Sequence, residues 1–144
     1  MALAADRMIK RRTGDSFSDP VAATTTIFTG ALVCLNAAGN AVPGSTSATL
    51  TARGICVERV VNSGAAGDER VESIAGCFNF NNSASADEIA RAEIGGLAYI
   101  VDDETVAKTD GTGTRSVAGQ IIDIDDSGVW VAIGKQPITV ESGA

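Results

Sequence analysis

The chain of 144 residues contains no histidine and only six aromatic side chains: one Trp, one Tyr and four Phe. Histidine is the usual general base near neutral pH and the commonest zinc ligand, so its absence excludes Ser-His-Asp and Cys-His catalytic arrangements. The shortage of aromatic rings argues against a sugar cleft, because small-molecule clefts are lined by apolar and aromatic side chains. We therefore expect a protein that is not an enzyme and that holds no cofactor or metal.

Cysteine is scarce, and long apolar runs are missing. Cys34, Cys56 and Cys77 each lie within an apolar run, and no CxxC spacing occurs, so we predict three reduced, buried thiols. No apolar run approaches the eighteen residues of a membrane span, and the start "MALAADRMIKRRTGDSF" lacks the apolar centre of a secretory signal. These features predict a soluble protein that is made in a cytoplasm and has no membrane partner.

Acidic residues outnumber basic ones, and the formal net charge is −7. Residues 1–20 carry four basic and three acidic side chains, which is +1, so the rest of the chain carries −8. An acidic body repels a phosphate backbone, which argues against nucleic acid as a partner. The basic cluster near the N-terminus has two interpretations, a contact with an acidic partner or a solvated tail.

Most of the chain has the period-2 pattern of half-buried antiparallel strands. Segments such as "RVESIAGCFNFN" alternate small apolar and polar residues, and "IDIDDSGVWVAI" is the clearest hairpin, with an Asp-Ser-Gly turn. One segment differs: Ser85 is suited to cap a short helix at about 86–93, and Gly95 is suited to end it. Residues 1–26, rich in small polar residues, predict an extended arm.

Two segments share an order of parts that suggests an internal repeat. Gly30 and Gly54 stand 24 positions apart, and Gly96 and Gly119 stand 23 apart; each pair encloses a strand, a polar turn, a short strand and a Ser/Thr/Gly-rich loop. Convergent hairpin patterns are the alternative explanation. We predict a mainly β fold, a compact antiparallel β-barrel or sandwich of two related hairpin units with one short helix and an N-terminal arm. The predicted divisions are the arm 1–26, a β-rich domain 27–136 and a tail 137–144.

Two acidic clusters and one tryptophan are the candidate chemical sites of the sequence. One cluster is Asp102, Asp103 and Glu104, and the other is Asp123, Asp125 and Asp126; a hard cation such as calcium is one interpretation of them. Both clusters lie where turns are expected, aspartate is favoured there for capping backbone groups, and neither has the spacing of an EF-hand loop. A hydrolase that uses these carboxylates is one alternative function. Trp130 on an alternating strand predicts a core or interface anchor rather than a ligand platform.

The run "GALVCLNAAGNAVPG…ARGICVERVVNSGAAGDERVESIAGCFNF" and the later "GLAYIVDDETVAKT…GTRSVAGQIIDIDDSGVWVAI" resemble the β-rich head decoration, or capsid cement, proteins of tailed bacteriophages. The resemblance covers about residues 27–134 and consists of the order of strands and turns. It implies a structural virion protein on the exterior of an icosahedral capsid, which bridges neighbouring major capsid subunits and often forms homotrimers. The family supplies no motif of functional residues to transfer.

The N-terminal arm lies outside the matched region, and its function as a capsid-gripping segment is our own hypothesis. The candidate capsid-contact residues are Arg7, Lys10, Arg11, Arg12 and Phe17. We expect the major capsid protein as a partner and self-association of this chain as a homotrimer, after synthesis in the host cytoplasm. The main alternative is a small-ligand or carbohydrate-binding β module, in which Trp130 or Tyr99 would contact the ligand.

Overall fold

A computed structural model describes residues 2–134, and its mainly β architecture confirms the predicted fold class. The helices in this part of the chain are all too short to cross a membrane. The described residues form twelve strands: β1 (Ser16–Pro20), β2 (Thr25–Ile27), β3 (Leu32–Leu35), β4 (Ala41–Pro43), β5 (Thr51–Cys56), β6 (Val60–Asn62), β7 (Arg70–Ile74), β8 (Gly76–Asn82), β9 (Leu97–Ile100), β10 (Thr105–Ala107), β11 (Val117–Asp125) and β12 (Gly128–Ile133).

The strands form two units with the same order of neighbours. In the first unit (residues 16–74) the sheet order is β1-β7-β5-β3-β4, and a parallel bridge between Val21 and Ala41 brings its two edges together. The N–H of Ala22 also donates to the carbonyl of Ala41 at 3.0 Å. In the second unit (residues 76–133) the corresponding order is β8-β12-β11-β9-β10, and parallel pairing of β10 with β8 closes the barrel. The predicted pair of related units is therefore present.

The two units also share their strand register. Throughout β3, β4 and β5, each residue of the first unit corresponds to the residue 65 positions later in the second unit. Val33 pairs with Gly54 in the first unit, and Ala98 pairs with Gly119 in the second. In both units a bulge precedes the glycine, so that Arg53 and its counterpart Ala118 are each the unpaired extra residue. Matching pairs and matching bulges at one offset favour a duplicated unit over convergent hairpins.

The glycine that opens the second unit is Gly95, one residue before the Gly96 that the sequence pattern suggested. Gly30 and Gly95 have φ angles of +86° and +94°, in the left-handed region where glycine is favoured. The N–H of Gly30 donates to the carbonyl of Cys56 at 2.9 Å, and that of Gly95 donates to the carbonyl of Ile121 at 2.8 Å. The backbone conformation and the hydrogen bond thus identify the equivalent glycines.

An insertion distinguishes the first unit from the second. Ile55 pairs with Ile74 in the first unit, and the equivalent Gln120 pairs with Ala132 in the second. The offset between equivalent residues is therefore 65 at β5 but only 58 at β7. The seven additional residues include β6, which pairs with β2 to form a separate two-stranded sheet. The second unit instead joins β11 to β12 through a tight hairpin in which Asp125 pairs with Gly128, as the sequence predicts.

The helical segment predicted near 86–93 is present as two 3-10 helices, Ser85–Asp87 and Arg91–Glu93, rather than one continuous helix. The chain becomes extended between them, and Ile89 there enters the core of the second unit. The side chain of Asn82 donates to the carbonyl of Ile89 at 2.8 Å and accepts from its N–H at 2.9 Å. Because Asn82 satisfies both backbone groups, no helical hydrogen bond is needed at this point.

Part of the arm predicted for residues 1–26 belongs to the body, because β1 pairs with β7 and β2 pairs with β6. Residues 2–13 remain outside every strand, and all of them are exposed. The predicted domain boundary at 26/27 therefore falls inside β2. The tail predicted for 137–144 and the end of the domain predicted for 27–136 lie outside the described residues.

Two apolar clusters form the core, and β3 contributes to both. Val33 points into the first unit with Val21, Ala41 and Val71, whereas Leu32 belongs to the cluster that fills the second unit. Cys34 lies on the same side as Leu32 and is also fully buried. Burial on both faces explains why "ALVCL" is an unbroken apolar run instead of an alternating one.

The prediction of three buried thiols is wrong for Cys77, which is exposed, whereas Cys34 and Cys56 are buried. The sequence pattern treats residues 70–81 as one strand, but the strand breaks at Ala75, whose N–H donates to the carbonyl of Asp15 at 2.8 Å. The break reverses the alternation, so Cys77 points away from the core although Val71 points into it.

We expect a thiol reagent such as iodoacetamide to modify Cys77 alone in the native protein. Burial raises the pKa of the Cys34 thiol to about 12, and it also raises the pKa of Cys56, so both are shielded and protonated. The pKa of Cys77 is raised as well, by partial burial and then by the charge of Asp123, so its reaction should be slow near neutral pH. Intact-mass measurement should give one adduct in buffer and three in denaturant. A second native adduct at a comparable rate would contradict this arrangement.

Candidate functional site

The exposed N-terminal segment, residues 2–13, combines positive charge with apolar side chains and is called the arm below. It carries four basic and one acidic residue, which is +3, whereas residues 14–134 carry six basic and sixteen acidic residues, which is −10. Leu3, Met8 and Ile9 are 69%, 98% and 67% exposed. Large apolar side chains that remain in water are typical of a surface used for binding.

The base of the arm is fastened to the body by an ion pair and a stacked ring. Arg53 donates from Nε to Asp19 Oδ2 at 2.8 Å and from Nη2 to Asp19 Oδ1 at 3.1 Å, and the carboxylate side chain is only 10% exposed. The same guanidinium lies 3.8 Å from the centroid of the Phe17 ring. A bidentate pair over an aromatic face holds β1 against β5, so the arm leaves the body at a fixed place.

This anchor depends on the bulge of the first unit. Arg53 is the extra residue of that bulge, and bulges commonly redirect a side chain. The counterpart in the second unit is Ala118, which is 1% exposed and belongs to the core. The anchor is therefore specific to the unit that carries the arm.

The structure separates the predicted contact residues into two groups. Arg7, Lys10, Arg11 and Arg12 are exposed on the arm, as a contact with an external partner requires. Phe17 lies on β1 and is half-buried against Arg53, so it contributes to the anchor. Sequence reasoning missed Asp19 and Arg53; the only signal was an isolated acidic residue in a segment assigned to the arm.

Of the carboxylates considered for hydrolysis, Asp102 and Asp125 cap turns, whereas Asp123 lies within β11. Asp102 Oδ1 accepts the N–H of Glu104 at 2.9 Å, and Asp123 Oδ1 accepts the N–H of Ile124 at 2.8 Å. The Ser127 hydroxyl, followed by the indole of Trp130, lowers the pKa of Asp125. No group of three or more metal-ligating side chains is assembled within residues 2–134. The turn-capping interpretation is confirmed for Asp102 and Asp125 and is wrong for Asp123, which is paired with Trp130 across the hairpin.

The two aromatic residues considered for ligand binding do not form a common platform. Trp130 lies on β12 and Tyr99 lies on β9, and β11 separates those strands in the barrel. The Trp130 indole N–H donates to Asp125 Oδ2 at 2.8 Å, which holds the half-buried ring beside the hairpin turn. Trp130 is thus an anchor of the β11–β12 hairpin.

Among the carboxylates of residues 2–134, Asp103 is the one with a raised pKa, and it lies at the junction between the two units. Burial is the main cause, and the neighbouring charge of Asp102 adds to it. The carbonyl of Asp103 accepts the N–H of Leu32 from the first unit at 2.9 Å. Its raised pKa therefore reflects packing between the two units rather than a catalytic pair.

Comparison of the chain with protein-family models, with curated proteins and with solved structures gives no match.

Proposed function

We propose that the protein is a capsid decoration protein, which binds the outer surface of an icosahedral phage capsid and cements neighbouring major capsid subunits without catalysis. The observation that carries the proposal is the basic and apolar arm, which is anchored to an acidic body by Asp19, Arg53 and Phe17. The resemblance of the strand order to phage cement proteins supports the same function. The site of action is then the virion exterior, and the partners are the major capsid protein and further copies of this chain.

The arm has the physical properties that a shell-gripping segment needs. Its backbone lies outside every strand of the body, so its N–H and C=O groups are available to pair along the edge of a neighbouring sheet. The charge of +3 attracts an acidic surface over roughly a Debye length of 8–10 Å, after which the apolar side chains can be buried. The acidic body opposes contact with packaged nucleic acid.

Deletion of residues 2–13 should leave a folded body that binds capsids at least tenfold more weakly. The truncation keeps β1 and its anchor, so circular dichroism and thermal unfolding should match those of the full chain. Occupancy would be measured on particles that were assembled from the major capsid protein of the same virus without the decoration protein. A tenfold loss corresponds to about 1.4 kcal/mol of binding free energy.

A matched variant separates charge from length. Replacing Arg7, Lys10, Arg11 and Arg12 by serine keeps the backbone of the arm and removes its positive charge. We expect this variant to lose most of the salt dependence of binding but to bind more tightly than the deletion. Full occupancy by the deleted form would show that the arm does not grip the shell.

The carbohydrate-binding alternative stays a prediction. Trp130 and Tyr99 lie on separated strands, and no observation on the described residues favours a sugar ligand over a protein surface.

A further inference from the structure

The constant offset of 65 residues allows the same surface to be compared on the two units. On the first unit, β3 and β5 carry the outward cross-strand pairs Leu32 with Ile55 and Cys34 with Ala52. On the second unit, β9 and β11 carry the equivalent pairs Leu97 with Gln120 and Tyr99 with Val117. Residues paired across strands point to the same face, so these are equivalent faces of equivalent barrels.

The two faces differ sharply in burial. Leu32 is 0% exposed and Leu97 is 50% exposed, although both are leucines at the same register position. Cys34 is fully buried, whereas Tyr99 is half-buried and Val117 is 40% exposed. The Leu97 end of this face is thus an apolar surface open to water, while Tyr99 and Val117 also line a hollow with Ala52 of the first unit. The counterpart face on the first unit is covered.

The cover on the first unit includes the turn between β9 and β10, and β11 and β12 contact β5 beside it. The N–H of Leu32 donates to the carbonyl of Asp103 at 2.9 Å, and Ser45 forms an antiparallel bridge with Asp102. Leu32 Cδ2 and Ile100 Cγ2 lie 3.1 and 3.2 Å from the position that a Cβ on Gly44 would occupy. One end of the second barrel therefore packs directly against the β3 face of the first.

This contact joins two different surfaces of the repeated unit. A twofold arrangement of the units would place equivalent residues in equivalent environments, yet Leu32 is buried and Leu97 is exposed. At β3 the contact is therefore head to tail, and it leaves the counterparts of Leu32 and of the covering turn unused. Beside it the equivalent starts of β5 and β11 lie together, where Ser116 Oγ accepts the N–H of Leu50 at 2.9 Å. The unused surfaces are the Leu97 face of the second unit and the β3–β4 turn of the first, residues 36–40, where residues 37–39 are exposed.

We propose that the Leu97 face binds the β3–β4 turn of a second copy of this chain and repeats between molecules the contact that joins the units within one molecule. The face offers a hollow of about 360 Å³ whose lining includes Ile94, Leu97, Tyr99 and Lys108. The approaching turn is small and uncharged, with Ala37, Ala38 and Gly39 at its tip. Head-to-tail contacts close into a ring or extend as a chain. The inference rests on the repeat and not on the proposed capsid function.

The proposal predicts which residues meet. Within the chain, Asp103 contacts Leu32. At the offset of 65 residues, Leu97 is the equivalent of Leu32, and Ala38 is the equivalent of Asp103. Leu97 of one copy should therefore lie beside Ala38 of the next. We would prepare Leu97→Cys and Ala38→Cys separately, each with Cys77→Ser to remove the exposed native thiol. Oxidation of the mixture should give a disulfide-linked dimer that contains one chain of each kind. Each variant alone should stay largely uncross-linked.

Two results of this experiment would overturn the proposal. Absence of the mixed dimer at concentrations where the wild type associates would exclude contact between these surfaces. Efficient self-linking of Leu97→Cys alone would indicate a face-to-face dimer instead of a head-to-tail contact.

Association of the full chain provides a second test. The monomer has a mass of 14.6 kDa, and light scattering should show higher masses that increase with concentration or converge on a ring. Leu97→Lys should weaken this association at least tenfold. The control Val61→Lys changes an apolar side chain that is 57% exposed on β6, outside the face, and should leave association unchanged. A wild type that stays monomeric at 100 µM (~1.5 mg/ml), or equal effects of the two lysines, would refute the proposal.

Discussion

Gly119→Ala should destabilise the protein more than any other single methyl group added to the described chain. A Cβ at this position would lie 1.9 Å from the carbonyl oxygen of Ala132, which is backbone and cannot rotate away. Adding atoms to a well-packed interior typically costs 1–3 kcal/mol and sometimes more, and here β11 and β12 would have to separate. We expect a loss above about 3 kcal/mol, which is a large part of the 5–15 kcal/mol of a typical domain.

The repeat supplies a matched comparison for Gly119→Ala. Gly54 occupies the same position in the first unit, and a Cβ there would lie 2.6 Å from the carbonyl oxygen of Ile74, so Gly54→Ala should cost somewhat less. Gly113 is the control, because its φ is +80° but nothing lies within 4 Å; Gly113→Ala should cost about 1–2 kcal/mol, from backbone conformation alone. Urea unfolding would rank the three variants, and equal midpoints would contradict the assignment of a close contact.

Asp19→Ala should lower the free energy of unfolding by about 2 kcal/mol and loosen β1. The substitution leaves the Arg53 guanidinium without its two carboxylate hydrogen bonds, and bonds to charged groups are worth roughly 1.5–3 kcal/mol each. Arg53 is 30% exposed, so water replaces part of the loss. β1 is an edge strand of the first sheet, and the Val21–Ala41 bridge joins this edge to β4. The backbone amides of β1 should therefore exchange with solvent faster in the variant.

A second ion pair serves as the control for Asp19→Ala. Arg91 and Asp123 are 3.6 Å apart and are 73% and 57% exposed, so loss of this pair should have little effect on unfolding. A double-mutant cycle with Arg53→Ala would isolate the coupling between Arg53 and Asp19. Coupling near zero, or unchanged exchange in β1, would show that the pair does not anchor the arm.

Local pattern was sufficient to predict the elements that depend on neighbouring residues. The Asp125–Gly128 hairpin follows from alternating runs around a turn, and the repeat was visible because glycine is required at Gly54 and Gly119 by close backbone approach. The sequence does not show which glycine of the second unit corresponds to Gly30, because Gly95 and Gly96 are adjacent. The φ angle of +94° at Gly95 distinguishes the two.

Features that depend on distant contacts were not predictable from local pattern. The local pattern predicts a buried Cys77, but the strand breaks at Ala75, and that break depends on a hydrogen bond to Asp15, sixty residues earlier. The helical segment near Ile89 is divided because Asn82 replaces helical hydrogen bonds. Asp19 could not be assigned to an anchor without knowledge that a bulge directs Arg53 toward it.

The position of the cover on the β3 face has a consequence for synthesis of the chain. All strands of the first unit have been made once Ile74 is added, but Leu32 is covered only after the turn that contains Asp103 has been made. The ribosome needs about 2–6 s to add those roughly 30 residues at 5–20 residues per second. During that interval every nascent molecule displays an uncovered apolar β surface, so chaperones that recognise such surfaces should engage the chain between these two points of elongation.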